Sequence, residues 1–193
     1  MRGIRISVFV TMSIALAGAA EDSAWRAGKA ADYAHQSTDK VTIGAKAFKT
    51  NDETEPPFGK KADFNKFGFM PVLVVVENQR GETVDLKNMQ VELVAANGKH
   101  VQAVVPDDVP YIAKPGGRPS QQKLPFPTPK KKNPLSIPEL QNRAFAAQML
   151  PTGDSANGFF YFEAKPQPGM KLYVNGLRLR PSGQELFYFE IEL

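Results

Sequence analysis

The sequence predicts a mainly β fold, an antiparallel two-sheet sandwich of seven or eight strands with a Pro-rich insertion and one short helix. Three observations predict it. In Glu185–Leu193, Phe187, Phe189, Ile191 and Leu193 alternate with Tyr188, Glu190 and Glu192, the period-2 pattern of a half-buried strand. Asn97-Gly98 separates two apolar-alternating runs within Met89–Val105, the signature of a tight hairpin. Val72–Val76 is an unbroken β-branched-rich run, the composition of a central strand. Hairpin-joined strands pair antiparallel, and two packed sheets are the economical way to bury their apolar faces.

In chain order, residues 1–20 carry Arg2 and Arg5, an apolar run from Ile6 to Leu16, and the small residues Ala17-Gly18-Ala19. That is the three-part order of a secretory signal peptide cleaved after Ala19 or Ala20. The apolar run is shorter than the roughly 20 residues of a bilayer span. The expected product is secreted or periplasmic, with no membrane span in its mature form. Residues 21–40 form a polar, Ala-rich arm, expected to be mobile or loosely docked. Ala24, Ala27, Ala31 and Ala34 allow a short helix there, and Trp25, the single Trp, is expected to tuck against the domain.

A single domain is expected over 41–193. Val41, Ile43, Ala45 and Ala47 open it as a strand, and Asn51–Lys66, with Pro56-Pro57, reads as a loop. Pro71 lacks an N–H and suits the start of the central strand. Asn78–Gly81 turns the chain into a short strand at Thr83–Leu86. A two-residue Asn97-Gly98 turn would set Val94 opposite Val101 and Val91 opposite Val104. Nine of the sixteen Pro fall in 106–138, a density that no ladder or helix tolerates, so this segment reads as a long extended loop with polyproline-like pieces. Ser136 and Glu139 have capping-box spacing and predict a helix at about 137–150, with Phe145 meeting Met149. The last strands are Gly158–Ala164, Met170–Arg180 and Glu185–Leu193, with Asn175-Gly176 as either a bulge or a second hairpin turn. Leu73, Val75, Leu93, Phe160, Phe162, Phe187 and Phe189 are the expected core.

Composition excludes several functions. With no Cys there are no disulfides, thiolate metal sites or Cys nucleophile. Two His, His35 and His100, exclude any site of three imidazoles. Two of the 24 basic residues lie in the signal, leaving 22 against 20 acids, too small an excess to argue for nucleic acid. No phosphate loop, dinucleotide fingerprint or nucleophile elbow is present, and no cofactor is expected. His100, on a hairpin shoulder, reads as an exposed or half-packed strand histidine. Asp52, Glu53 and Glu55, and separately Asp107-Asp108, read as solvated turn acids. Tyr161, Tyr173 and Tyr188, among many Phe, read as core filling rather than a carbohydrate platform.

Two stretches, PVLVVVENQRGETVDLKNMQVELVAANGKHV (Pro71–Val101) and GFFYFEA (Gly158–Ala164), resemble poorly characterised bacterial secreted or lipoprotein Ig-like sandwich domains. The resemblance implies an Ig-like sandwich by architecture, without the Cys-Trp-Cys signature of antibody domains, and an envelope location. Such families are mostly of unknown function, so no catalytic residue is implied. The Pro-rich insertion departs from the simple pattern.

Three readings of function follow. The first is a secreted or periplasmic non-enzymatic module that binds a protein or cell-envelope polymer. The second is a carboxylate- or Ca²⁺-dependent hydrolase using the acidic loops, and the third a passive module of an envelope assembly. For the first, the expected contact residues are Lys123, Phe126, Lys130, Lys131 and Lys132, a basic run with one aromatic in the Pro-rich loop. The identity of the partner and the oligomeric state are left open.

Overall fold

A computed structural model of the chain describes residues 25–113 and 135–193. Eleven strands fall within them: β1 (Ala34–Thr38), β2 (Val41–Ala47), β3 (Met70–Asn78), β4 (Thr83–Asp85), β5 (Gln90–Val94), β6 (His100–Val104), β7 (Met149–Leu150), β8 (Ser155–Phe162), β9 (Lys171–Asn175), β10 (Arg178–Arg180) and β11 (Phe189–Glu192). Three short helices accompany them: α1 (Asn51–Phe58), α2 (Val109–Ile112) and α3 (Glu139–Asn142).

The strands pair antiparallel in the order β1-β2-β3-β8-β6-β5-β9-β11, with β10-β4-β7 as a second, small sheet. The β8–β6 ladder has only two residue pairs, Phe162 with Ala103 and Tyr161 with Val104. There the long sheet folds over into two facing four-stranded halves. At the opposite margin the Glu190 N–H donates to Gln36 Oε1 (2.6 Å), so that β11 approaches β1 and the sheet is nearly closed. Between the halves lies the main core, with Ile43, Val72 and Val74 meeting Leu93, Leu172, Val174, Phe189 and Ile191. Each such side chain contributes about 1.5–3 kcal/mol on full burial.

A second apolar cluster covers the other face of β3 and β8. Leu73, Val75, Phe159 and Tyr161 lie beneath Phe48, Phe58, Phe64, Phe69 and Leu140. The Phe58 ring stands 4.7 Å from Phe159 and 4.8 Å from Phe64. β3 is therefore buried on both faces, the physical reason for its unbroken apolar run. Its opening Pro71 lies where the sequence predicted, and the Pro71 carbonyl accepts from the Phe48 N–H (2.9 Å).

Several expectations are corrected. The fold has more strands than seven or eight, and more than one helix. The 21–40 segment is no loose arm where it is described. Ala30 is fully buried in a 3-10 turn, and β1 pairs with β2 along its whole length through a tight Asp39-Lys40 turn with both φ positive. Trp25 does tuck in, against Phe159 and Phe48. Asn51–Lys66 is not all loop. Thr50 and Glu53 form a capping box that starts α1, and Pro56-Pro57 fall in its last turns.

The 89–105 hairpin exists, but its register is one residue away from the prediction: Leu93 faces Val101 and Val94 faces His100. Gly98 N–H donates to the Ala95 carbonyl (2.8 Å), and Gly98 alone is left-handed (φ 78°). This is a three-residue loop closed by a glycine, not a two-residue turn.

Residues 106–113 form a turn and α2 instead of extended chain. The helix predicted at about 137–150 stops at Asn142. Pro138, not Ser136, is its N-cap. Past it, the Phe159 N–H donates to the Arg143 carbonyl (2.8 Å) and the Phe145 N–H to the Phe159 carbonyl (3.2 Å). Phe145 stacks on Phe160, half-buried, and not on Met149. Gly158 makes this crossing possible, since a Cβ there would stand 2.4 Å from Phe145 Cα. Asn175-Gly176 is neither a bulge nor a hairpin turn: β9 and β10 belong to different sheets, and Gly176 (φ 77°) marks the corner between them. Phe187, expected in the core, is 77% exposed.

Asn78 ends β3 fully buried. Its Nδ2 donates to the Glu82 and Leu150 carbonyls (2.8 and 3.0 Å), and its Oδ1 accepts from the Arg80 N–H (3.0 Å), tying the long sheet to β4 and β7. Asn78→Ala is expected to cost about 2–4 kcal/mol, because it strands buried backbone groups as well as losing three hydrogen bonds. Urea unfolding measures it, and a loss below about 1 kcal/mol would mean that water replaces the side chain.

Candidate binding face

The half-sheet β6-β5-β9-β11 packs its apolar side on the main core. Its outward residues follow from the period of 2: Gln90, Glu92 and Val94 on β5, His100 and Gln102 on β6, Lys171, Tyr173 and Asn175 on β9, and Glu190 and Glu192 on β11. Register then builds a row across the four strands. Gln102 lies opposite Glu92, Glu92 opposite Tyr173, and Tyr173 opposite Glu190.

Side-chain hydrogen bonds stiffen this row. Glu92 Oε2 pairs with His100 Nδ1 at 2.8 Å, and Glu92 Oε1 accepts from Gln102 Nε2. Tyr173 donates its hydroxyl to Glu190 Oε2 (2.9 Å), and Lys171 Nζ donates to Glu190 Oε1. The Tyr188 ring stacks along Tyr173, centroids 6.0 Å apart and planes 16° apart, and the His100 ring is 6.2 Å from Tyr173. Tyr188 is 57% exposed and follows the still more exposed Phe187. Beside these two, Gln90, Asn175, Glu185 and Leu186 complete the lining of a shallow groove of about 620 Å³.

The charges are coupled. Hydrogen bonds from Lys171 and then Tyr173 hold the Glu190 carboxyl below the usual range, and the His100 and Gln102 bonds do the same for Glu92. The Glu190 bond in turn raises both Lys171 and Tyr173. The signs give opposite limits. The carboxylates, depressed on folding, add stability above the ordinary Glu value of 4.5, and it is lost as pH falls through their lower folded values. The raised Tyr173 and Lys171 add stability below their ordinary values of 10.0 and 10.5, lost as pH rises through the folded ones. The urea midpoint should therefore be flat between about pH 6 and 9 and fall on both sides. Glu190→Gln should flatten the acid limb. If the two acid limbs superimpose, Glu190 contributes nothing through its charge.

Of the residues expected to carry function, Lys123, Phe126, Lys130, Lys131 and Lys132 lie outside the described residues. His35 is exposed on β1, its Nδ1 2.9 Å from the Tyr33 carbonyl. His100 is the exposed strand histidine expected, and part of the face. Glu53 accepts from the Lys49 N–H (2.7 Å) and pairs with Lys46 (3.2 Å), Glu55 pairs with Lys60 (3.6 Å), and Asp107 accepts from Gln141. Among the described residues no three His, Asp or Glu side chains are grouped to hold a metal ion.

Tyr161 is core, as expected, its hydroxyl donating to the Leu140 carbonyl (2.8 Å), and burial pushes its pKa up. Tyr173 and Tyr188 are not core filling: they are the platform of the outward face. The signal in the sequence was the consecutive pair Phe187-Tyr188, which strict alternation cannot bury together.

No protein-family model matches the chain, and no curated protein matches it. In structure it is similar to a Bacillus subtilis chain described as a lipoprotein, with TM-score 0.41 and 12% identity, over 83% of this chain and 38% of that one. This chain thus spans less than half the length of that lipoprotein. It is also similar to the secreted protein MPT63 of Mycobacterium tuberculosis, with TM-score 0.36 and 14% identity over 84% and 95% of the two chains. A structural-genomics target, SoR45, matches with TM-score 0.34 and 11% identity over 80% and 87%.

Proposed function

We propose that the chain is a secreted, non-enzymatic binding module of the cell envelope whose recognition surface is the outward face of β6-β5-β9-β11. Secretion rests on the signal pattern of residues 1–20. The observation that carries the binding surface is Tyr188 stacked on Tyr173 of β9, with the exposed Phe187 before it in the segment that enters β11, at the margin of a half-sheet whose other side is packed core. A large aromatic left in water and braced by a second ring supplies contact area at little entropic cost, the usual currency of recognition. The hydrolase reading loses support, since its acids are divided between α1 and the turn before α2, where Glu53 caps α1 and Asp107 accepts from Gln141 of α3.

The test sediments purified residues 21–193 with isolated envelopes. The double variant Phe187→Ala/Tyr188→Ala should melt within a few degrees of the parent, because both side chains are exposed, and should lose most of the sedimented fraction. Undiminished sedimentation of a folded double variant would remove the face from recognition. Turnover of a generic glycoside, ester or peptide substrate that one point substitution abolishes would replace the binding reading with an enzymatic one.

A further inference from the structure

We infer that the ligand of this face is a glycan, a chain of neutral or N-acetylated pyranose units. The inference rests on the proposed recognition surface and names its chemistry. A pyranose ring has two unlike aspects: its C–H faces are apolar and its rim carries hydroxyls. The face has both complements side by side. Tyr188, 57% exposed, stacks on the half-buried Tyr173 with planes 16° apart and centroids 6.0 Å apart, a braced aromatic surface in water, and the exposed Phe187 adjoins it in the chain. Around these rings stand hydrogen-bond acceptors and donors. The carboxylates of Glu92 and Glu190 accept, and the amides of Gln90, Gln102 and Asn175 accept and donate, with Gln90 directly opposite Asn175 in the register. Convergent polar groups of this kind around an apolar floor fix the orientation of a small polar ring.

The polar rim is already ordered. Glu92 is held by His100 and Gln102, and Glu190 by Lys171 and Tyr173, so little side-chain entropy remains to be lost when a hydroxyl joins them.

Charge selects among polymers. The face and its groove carry Glu92, Glu185, Glu190 and Glu192 against Lys171 and Arg178. Lys171 is committed to Glu190, and Arg178 stands 3.8 Å from Glu185. A phosphate- or sulfate-bearing polymer would meet carboxylates first, and an anionic lipid surface would find no free basic cluster among these residues. A neutral glycan meets neither obstacle.

The test uses residues 21–193 and four named probes: insoluble N-acetylglucosamine polymer, insoluble glucose polymer, dextran sulfate, and vesicles of phosphatidylcholine with phosphatidylglycerol. Expected is retention on at least one of the neutral polymers and none on the sulfated polymer or the vesicles. Tyr188→Ala should weaken retention about tenfold or more, and Tyr188→Trp should keep it, since only the ring is needed. Absence of binding to both neutral polymers, preference for dextran sulfate or vesicles, or a Tyr188→Ala variant that binds like the parent overturns the inference. Envelopes separate this failure from that of the broader reading. If a glycan-cleaving muramidase leaves sedimentation intact while a protease abolishes it, and Tyr188→Ala still weakens it, the face recognises a protein, and only the glycan assignment falls.

Discussion

Truncating Phe189 to alanine is expected to lower the free energy of unfolding by about 3–5 kcal/mol, whereas truncating Phe187 is expected to leave it within about 0.5 kcal/mol. They are two positions apart, with Tyr188 between them, and strict alternation would place both on one face. The difference arises where the chain changes sheets. Leu186 is tied back toward β10, its N–H donating to the Leu177 carbonyl (2.8 Å), and it points into the main core. Phe187 and Tyr188 are then both exposed, and β11 begins only at Phe189, opposite Val174. One residue of slip therefore inverts Phe187 while leaving Phe189 fully buried among residues of both half-sheets. Removing the Phe189 ring empties a fully buried volume between the two half-sheets, the costly kind of truncation for a core aromatic. Urea unfolding of both variants at one pH is the measurement. Equal losses would mean that the strand continues inward through Phe187 and that the aromatic face does not exist as described.

What the sequence made legible follows from how local each determinant is. β3 announces itself because burial on both faces demands a continuous apolar run, and Pro71 can sit only near its start. The hairpin at 90–104 is located by Asn97-Gly98, but its register turns on which of those residues adopts positive φ. Only Gly98 does, and composition cannot distinguish the two cases. The segment after Ser136 has good helical spacing. Its second half is nonetheless extended, because the Phe159 backbone offers hydrogen bonds to Arg143 and Phe145 that a helix would forgo. Those partners are remote in sequence, so local pattern misjudges the contest. β1 was illegible for the opposite reason. As an edge strand with one neighbour in its ladder, it carries AHQST and needs no apolar alternation.

The candidate site was legible in composition and illegible in direction. Tyr173, Tyr188 and His100 were visible as residues with chemistry, but core filling is the ordinary fate of aromatics in late strands. Tyr188 shares the parity of Glu190 and Glu192, but the pairing of β9 with both β5 and β11 that sets Tyr173 and His100 on one face, and the slip that exposes Phe187, are not local properties. The polar row Gln102–Glu92–Tyr173–Glu190 joins three segments far apart in the chain, and it exists only once the register is known.

Gly44→Ala, the addition of one methyl group, is expected to destabilise the protein by about 3 kcal/mol or more and to release the N-terminal segment. In an open strand the same change would stabilise, because Gly loses more backbone entropy on folding than Ala. Here the space is already taken. A Cβ on Gly44 would stand 2.3 Å from the Ala30 carbonyl oxygen and 2.7 Å from Ala30 Cα, and backbone atoms cannot rotate aside. Ala30 is fully buried, with its N–H donating to Glu77 Oε1 (2.9 Å). Moving it drags the segment that begins at Trp25, whose ring lies 5.4 Å from Phe159 and beneath the Arg143 guanidinium at 5.1 Å. Arg143 also donates to the Trp25 carbonyl (3.2 Å), so the displacement uncovers the second apolar cluster and loosens the crossing beside Gly158. Because Trp25 is the sole Trp, its fluorescence reports the event directly. The variant should emit further to the red and be quenched more readily by acrylamide, with a lowered urea midpoint. Unchanged emission together with an unchanged midpoint would mean that residues 25–33 are not seated on β2, and the domain would then begin at Val41, as its polar composition first suggests.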